Sequence, residues 1–172
     1  SKEDSDLAIK YYREYFKPKG LYENEVYEGV PEMLKALRAS GKTLILATSK
    51  PTVFAEIILD HFGLRQYFDV VVGSELDGRR VNKDEVVACA LEEAKVSDKE
   101  QAVMIGDREH DILGAKEVGI SRSNAYSSLT SLVDKGAAYL QNGTSTPSSV
   151  LLSFPLSFKY PITSSLIAAK PS

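Results

Sequence analysis

Residues 103–119, VMIGDREHDILGAKEVG, join a short apolar run to a helix-like segment and place acidic residues at the junction. The run over 102–107 predicts a buried strand, and DILGAKEVG predicts the helix that follows it. Asp107 and Asp111 stand four residues apart, with Glu109 between them, and like charges at that spacing repel. A helix N-terminus, a basic neighbour or a metal ion would offset the repulsion. The stretch therefore predicts a strand–helix unit with a candidate site at its turn.

The same alternation of strand and helix extends toward the N-terminus. TLILATS (43–49) and YFDVVVG (67–73) are short and apolar, as buried parallel strands are, and each precedes a segment with helical periodicity. Repeated strand–helix units predict an α/β fold with a parallel sheet covered on both faces. The inward face of the helix after the first strand is predicted to be Phe54, Ile57, Ile58 and Phe62.

Three segments are predicted along the chain. Residues 1–20 form an amphipathic helix, residues 21–120 form the α/β core, and residues 121–172 form a divergent segment rich in Ser and Thr and interrupted by prolines. Within that last segment, SSVLLSF (148–154) has the apolar character of a strand.

Composition limits the function classes. The 172 residues include 43% hydrophobic and 26% charged residues, which fits one folded domain of ordinary size. A net charge of −3 offers no basic surface for nucleic acid or an anionic membrane. No apolar run reaches the roughly 18 residues of a membrane span. A single cysteine cannot form an internal disulfide, so we expect a cytoplasmic protein.

Polar side chains follow each predicted strand, where parallel sheets bind ligands. Thr48 and Ser49 end the first strand, a loop after the second leads to Lys83, and Asp107 ends the third with Asp111 one turn later. Hydroxyls, an ammonium and two carboxylates suit a phosphate bound together with a divalent cation. Oxygen ligands favour Mg²⁺ over zinc or copper.

Each of these residues also has a purely structural interpretation. Thr48 and Ser49 would cap the helix that starts near Pro51, and the acidic pair would complement a helix dipole. Lys83 would be a surface lysine in the first turn of a helix that Asn82 and Glu85 cap. His61, His110 and Cys89 show no metal-ligand spacing or activating base, and Arg79 and Arg80 suit a solvated loop. These alternatives stay open at the level of sequence.

Three motifs carry a family resemblance. LILATSKP, VVGSELDGRRVNKDEVV and VMIGDREHDILGAKEVG, in this order and spacing, resemble the haloacid dehalogenase (HAD) superfamily, especially its phosphoglycolate-phosphatase-like branch. The resemblance implies a Rossmann-like core, a first helix that is a remnant of a helical cap, and hydrolysis of a small phosphorylated metabolite through an aspartyl-phosphate. It implies that Thr48 contacts the phosphoryl group, that Lys83 neutralises its charge, and that Asp107 and Asp111 bind Mg²⁺.

The sequence departs from the family at the attacking residue. Family members carry a D-x-D-G-T strand whose first Asp attacks phosphorus, and that strand lies at the sheet centre between the strands of 43–49 and 102–107. The 172 residues contain no such motif; Asp4 and Asp6 have the spacing but no apolar strand before them. Removing the nucleophile of a serine protease lowers turnover by about 10⁶. We therefore expect no turnover from this chain alone, and SSVLLSF is a candidate for the empty central position.

Two other functions are considered from the sequence. A non-catalytic module would keep the phosphate and metal site for binding alone. A phospho-acceptor domain of the receiver type also uses Asp, Mg²⁺, Thr and Lys on a parallel sheet. Its acidic pair comes early and its Lys last, whereas the order here is Thr48, Lys83, Asp107. That order disfavours the receiver interpretation. The oligomeric state is not predicted.

Overall fold

The chain divides into two compact units in the computed structural model, which describes residues 2–23, 25–106, 108–120, 125–126 and 148–153. One unit contains helix α1 (Lys2–Tyr15) and the π-helical turn Phe16–Gly20 that continues it. The rings of Tyr12 and Phe16 stack there with centroids 5.1 Å apart. The predicted first helix is thus an α-helix followed by one wider turn.

The other unit, Tyr27–Phe154, contains one five-stranded parallel sheet. The spatial order of the strands is β2-β1-β5-β3-β4. Every pairing in the sheet is parallel. The strands are β1 (Thr43–Pro51), β2 (Val70–Ser74), β3 (Ala102–Gly106), β4 (Ala125–Tyr126) and β5 (Ser149–Ser153).

Helices cover this sheet as the strand–helix alternation predicts. Leu44, Ile45, Leu46 and Ala47 are all fully buried, and successive strand residues point to opposite faces, so both faces of β1 are covered. Helix α3 packs on β1 and β2, and α4 packs on the same strands and on α5. The predicted α/β fold is confirmed. The helices of this unit are α2 (Val30–Ala39), α3 (Thr52–His61), α4 (Lys83–Glu93) and α5 (Glu109–Glu117).

Helix α3 buries a different face from the one predicted. Ala55, Ile58 and Leu59 are fully buried, whereas Ile57 is 38% exposed. Small Ala55 lies on the face that meets β1 and β2, where a short side chain permits close approach of helix and sheet. The prediction was right for Ile58 and wrong for Ile57, because the helical pattern of large side chains does not mark Ala55 as an inward position.

The central strand comes from the C-terminal part of the chain. Strand β5 pairs with β1 from Thr43↔Ser149 to Leu46↔Leu152, and with β3 from Ala102↔Ser149 to Gly106↔Ser153. Leu151 and Leu152 are fully buried on the two faces of the sheet. Strands β1 and β3 therefore both gain a hydrogen-bonding neighbour. The expectation that this segment fills the central position is confirmed for Ser149–Ser153.

Membrane-spanning helices are absent from the part of the chain that the structure describes, where no helix combines the necessary length with sufficient hydropathy.

Candidate functional site

Lys83 is a buried cation at the first position of α4, with its side chain turned toward the C-terminal end of the sheet. It is 8% exposed, so the interpretation as a surface lysine was wrong. Its Nζ donates hydrogen bonds of 2.8 Å to the carbonyl oxygen of Ala47 and to Oγ of Ser153. Nζ also lies 2.8 Å from Oδ1 of Asp111. An ammonium group has three donors, and the part of the chain that the structure describes supplies at least these three acceptors.

Asp111 supplies the negative partner of Lys83. It is 3% exposed, and its Oδ2 accepts a hydrogen bond of 3.2 Å from the backbone N–H of Arg108, the N-cap of α5. The helix N-terminus and the basic neighbour that the sequence suggested as compensation are thus both present at this carboxylate. A buried ion pair of this kind is favourable only when hydrogen bonds satisfy the remaining polar atoms, as they do here.

Two glycines make the ion pair sterically possible. A Cβ added at Gly106, the last residue of β3, would lie 2.5 Å from Cβ of Asp111. A Cβ added at Gly114 in α5 would lie 2.8 Å from Cγ of Lys83 and 3.0 Å from the backbone nitrogen of Asp84. These separations are too short for ordinary packing. Glycine at both positions therefore allows α5 to approach β3 and α4.

Thr48 and Ser49 lie at the end of β1 beside the acceptor of Lys83. Thr48 is buried, and its Oγ1 accepts a hydrogen bond of 3.2 Å from the backbone N–H of Lys50. Ser49 is exposed, and its carbonyl oxygen accepts from Oγ of Ser74. Helix α3 begins at Thr52 with Pro51 as its N-cap and has no side-chain cap. The interpretation of Thr48 and Ser49 as helix caps was therefore wrong.

Ser153 is the polar residue of the site that the sequence did not single out. It ends β5 opposite Gly106, is 6% exposed, and has its Oγ 2.8 Å from Nζ of Lys83. A Ser in a Ser-rich segment carries no signal of its own. Only the pairing of β5 between β1 and β3 reveals that its hydroxyl reaches the buried cation.

The predicted metal ligands are described in part. Asp107 lies outside the described residues, between Gly106 and Arg108, which are both described. Within the described ranges, no cluster of three or more His, Cys, Asp or Glu residues is suited to a metal ion. The buried carboxylate of Asp111, next to the end of β3, is an oxygen donor of the type that Mg²⁺ prefers, and its two oxygens contact Lys83 and the backbone N–H of Arg108.

Two further groups have shifted pKa values near this edge. Burial lowers the pKa of Lys50. Burial also raises the pKa of the Cys89 thiol, and the guanidinium of Arg80, whose Nη1 lies 2.8 Å from Sγ, opposes that shift in part. Arg80 also contacts the carboxylate of Glu75. Arg80 is therefore paired within the fold, and the prediction that it is solvated was wrong.

A cavity of about 410 Å³ opens beside Lys83, between the N-terminal parts of α4 and α5. His110 of α5 and Ser49 of β1 both line this cavity, so two polar side chains from different elements face it. No role was predicted for His110, because a lone histidine carries no spacing signal. Other lining residues are Asn82, Leu113 and Glu117.

The comparison with protein families matches this arrangement of elements. Residues 1–125 match the haloacid dehalogenase-like hydrolase family. The chain belongs to this family. The matched region contains β1, β2 and β3 and the helices α4 and α5, and thus Thr48, Lys83 and Asp111, and it ends before β5.

Individual relatives agree with the family assignment. A 5'-nucleotidase from Pseudomonas aeruginosa is 47% identical over 114 residues, which cover 66% of this chain and 51% of the relative. A tyrosine-protein kinase PtkA from Mycobacterium tuberculosis is 40% identical over 118 residues, covering 69% of this chain and 40% of the relative. The crystal structure of a putative phosphatase from Clostridium difficile has a TM-score of 0.67 and 40% identity, covering 87% of this chain and 66% of that one. The chain thus spans about half the length, or less, of these curated relatives.

Proposed function

We propose that the chain carries the phosphate- and Mg²⁺-binding part of a phosphatase that hydrolyses small phosphate monoesters through an aspartyl-phosphate. The observation that carries this proposal is the buried ammonium of Lys83 at the C-terminal end of a parallel sheet, held between Asp111 and the end of β1. A buried cation at a ligand-binding edge is suited to an anion, because low polarity strengthens the attraction between opposite charges. Family membership supports the phosphoryl group as that anion.

Each side chain of the proposed site makes a different contact with the phosphoryl group. Lys83 neutralises the negative charge of the phosphoryl group, and the Thr48 hydroxyl donates a hydrogen bond to one of its oxygens. We propose that Ser49 contacts the outer oxygens, since it is exposed and lines the cavity. Such preorganised donors stabilise the charge that develops during phosphoryl transfer.

Asp107 and Asp111 are the residues that would hold Mg²⁺. Each carboxylate oxygen has more than one lone pair, so Asp111 can contact Lys83 and Arg108 and still offer an electron pair to a cation or its water. When bound, the cation would offset the repulsion between these acids and the phosphate and withdraw charge from the reacting phosphoryl group.

The substrate is proposed to be a small phosphorylated metabolite similar to phosphoglycolate. The names of the two relatives refer to a nucleotide in one case and to protein tyrosine in the other, so they have only the phosphoryl group in common. The cavity of about 410 Å³ beside Lys83 has room for a phosphoryl group and a small organic part.

A second candidate is a non-catalytic module that binds phosphate and metal. The observation that favours it is Ser153, because a hydroxyl rather than a carboxylate ends the central strand beside Lys83. The 172 residues also lack the D-x-D-G-T motif. We therefore propose that these 172 residues bind phosphate and do not turn it over.

A phosphatase assay tests this proposal. The purified chain is incubated with p-nitrophenyl phosphate and Mg²⁺ beside a Lys83→Ala variant prepared in the same way. We expect equal background release of nitrophenol from both. Release by the unmodified chain above that of Lys83→Ala would show that another group attacks phosphorus and would overturn the predicted inactivity.

A further inference from the structure

The ammonium of Lys83 has at least three protein acceptors among the described residues. Ala47 O, Ser153 Oγ and Asp111 Oδ1 lie at 2.8 Å from Nζ, which is as many acceptors as the group has N–H donors. Lys83 can therefore donate to a phosphate oxygen only if one of these acceptors gives up its hydrogen bond. The acceptor that loses its hydrogen bond from Lys83 is then free to contact the anion itself.

The three acceptors differ in how readily they can be released. The carbonyl of Ala47 is fixed by β1, which is paired on both sides. Asp111 is a buried carboxylate, and separating it from its cation leaves an uncompensated charge, which is strongly unfavourable. Ser153 is neutral, and its hydroxyl can rotate about χ1. Losing a hydrogen bond to a neutral hydroxyl is therefore the smallest of the three penalties.

A hydroxyl can also change its role, because it both donates and accepts hydrogen bonds. Ser153 is at the C-terminal end of the central strand, opposite Gly106 and next to the end of β1 that carries Thr48. An anion held by Lys83 and Thr48 would thus lie at the strand end where Ser153 stands. Once released from Lys83, the Ser153 hydroxyl can donate to that anion.

We propose that Ser153 is a phosphate-binding residue whose hydroxyl exchanges its hydrogen bond from Lys83 for one to a phosphate oxygen when phosphate binds. The inference rests on the proposed function, since it requires phosphate to bind beside Lys83. It goes beyond that function because it adds to the site a residue from β5, a strand outside the region that matches the family.

The test uses Thr and Val at one position, because these side chains have nearly the same shape and differ in the hydroxyl. Inorganic phosphate is titrated calorimetrically, in Mg²⁺, into the unmodified chain, Ser153→Thr and Ser153→Val. We expect Ser153→Thr to retain phosphate affinity and Ser153→Val to lose it on the order of tenfold. Ser149→Ala, at the other buried end of β5, is the matched control and should leave the affinity within about twofold of the unmodified chain.

The outcomes separate the inference from the function on which it rests. No phosphate binding by the unmodified chain would overturn both. Equal phosphate affinity of the unmodified chain and Ser153→Val would overturn only the role of Ser153 in binding. If Ser153→Val then has a lower unfolding temperature but an unchanged affinity, Ser153 has a structural role instead. Should the Val variant not fold, NMR of the unmodified chain decides: phosphate must shift the amide signal of Ser153 more than that of Ser149, and equal or absent shifts would contradict the proposal.

Discussion

At the scale of single residues, the electrostatics of the site depend on the pair formed by Lys83 and Asp111. Both side chains are almost fully buried, and their charged atoms lie 2.8 Å apart. Removing one partner of a buried pair leaves an isolated charge, which typically costs about 3–5 kcal/mol. We predict that Lys83→Met lowers the free energy of unfolding in urea by about 3 kcal/mol or more.

A double-mutant cycle checks the physical reason for this loss. Asp111→Asn in the Lys83→Met background removes the uncompensated carboxylate, so we expect the double variant to regain part of the lost stability. Additive losses in the two single variants and the double variant would mean that the pair does not interact. That result would contradict the ion pair between Lys83 and Asp111 on which the proposed site depends.

Cys89 offers a second prediction at this scale. Burial raises the pKa of its thiol, and the Arg80 guanidinium only partly opposes that effect. A raised pKa means less reactive thiolate at a given pH, so the native chain should react more slowly with a disulfide reagent at pH 7.5 than the chain unfolded in urea. When the reaction rate is plotted against pH, the midpoint for the native chain should also lie at a higher pH than the midpoint for the unfolded chain. A native rate equal to or above the unfolded rate would refute the predicted inert role of this thiol.

At the scale of elements, the close approach of α4 and α5 positions the ion pair, and Gly114 permits it. Replacing a glycine within a helix by alanine normally stabilises the helix by about 1 kcal/mol. Here the new methyl group would meet Lys83 and the backbone of Asp84. We therefore predict the opposite sign, with Gly114→Ala lowering the free energy of unfolding by about 1–3 kcal/mol.

The control for Gly114→Ala lies on the exposed side of the same helix. Lys116 is exposed, so Lys116→Ala should change the free energy of unfolding by less than about 0.5 kcal/mol. A stabilising effect of Gly114→Ala would show that the two helices have space between them and that the packing at Lys83 is looser than described.

Sequence patterns predicted the elements more reliably than the side-chain contacts. Apolar runs located β1, β2 and β3, although Tyr67 of the predicted second strand lies in a 3-10 turn and β2 begins at Val70. Capping residues located the start of α4, since Glu85 does accept from the backbone N–H of Asn82.

The burial of Ala55 and the exposure of Ile57 were not predicted, because the distance between α3 and the sheet depends on how the two pack together and not on the helix sequence alone. The contact of Ser153 with Lys83 was missed because the two residues lie 70 positions apart in the chain. The contact of Arg80 with Glu75 was missed because it depends on the conformation of the loop between them, which the residue pattern does not mark.

At the scale of the whole molecule, β5 joins the two halves of the sheet. The apolar character of SSVLLSF indicates a strand, but its central position could be expected only because the family resemblance leaves a place between β1 and β3 unfilled. Paired on both sides and buried on both faces, the amides of residues 150–153 should exchange with deuterium among the slowest in the chain. Exchange as fast as that of an unfolded peptide would place this segment outside the sheet and remove Ser153 from the site.

The central proposal is that three strand ends form one pocket in which phosphate and Mg²⁺ bind together. Calorimetric titration of inorganic phosphate, with and without Mg²⁺, into the unmodified chain, Lys83→Met and Asp107→Asn tests this most directly. We predict that the unmodified chain binds phosphate in Mg²⁺. Affinity should fall at least about tenfold without the ion and in either variant, because charge-assisted contacts are lost. Binding that is unchanged in Lys83→Met, or that does not depend on Mg²⁺, would contradict the account.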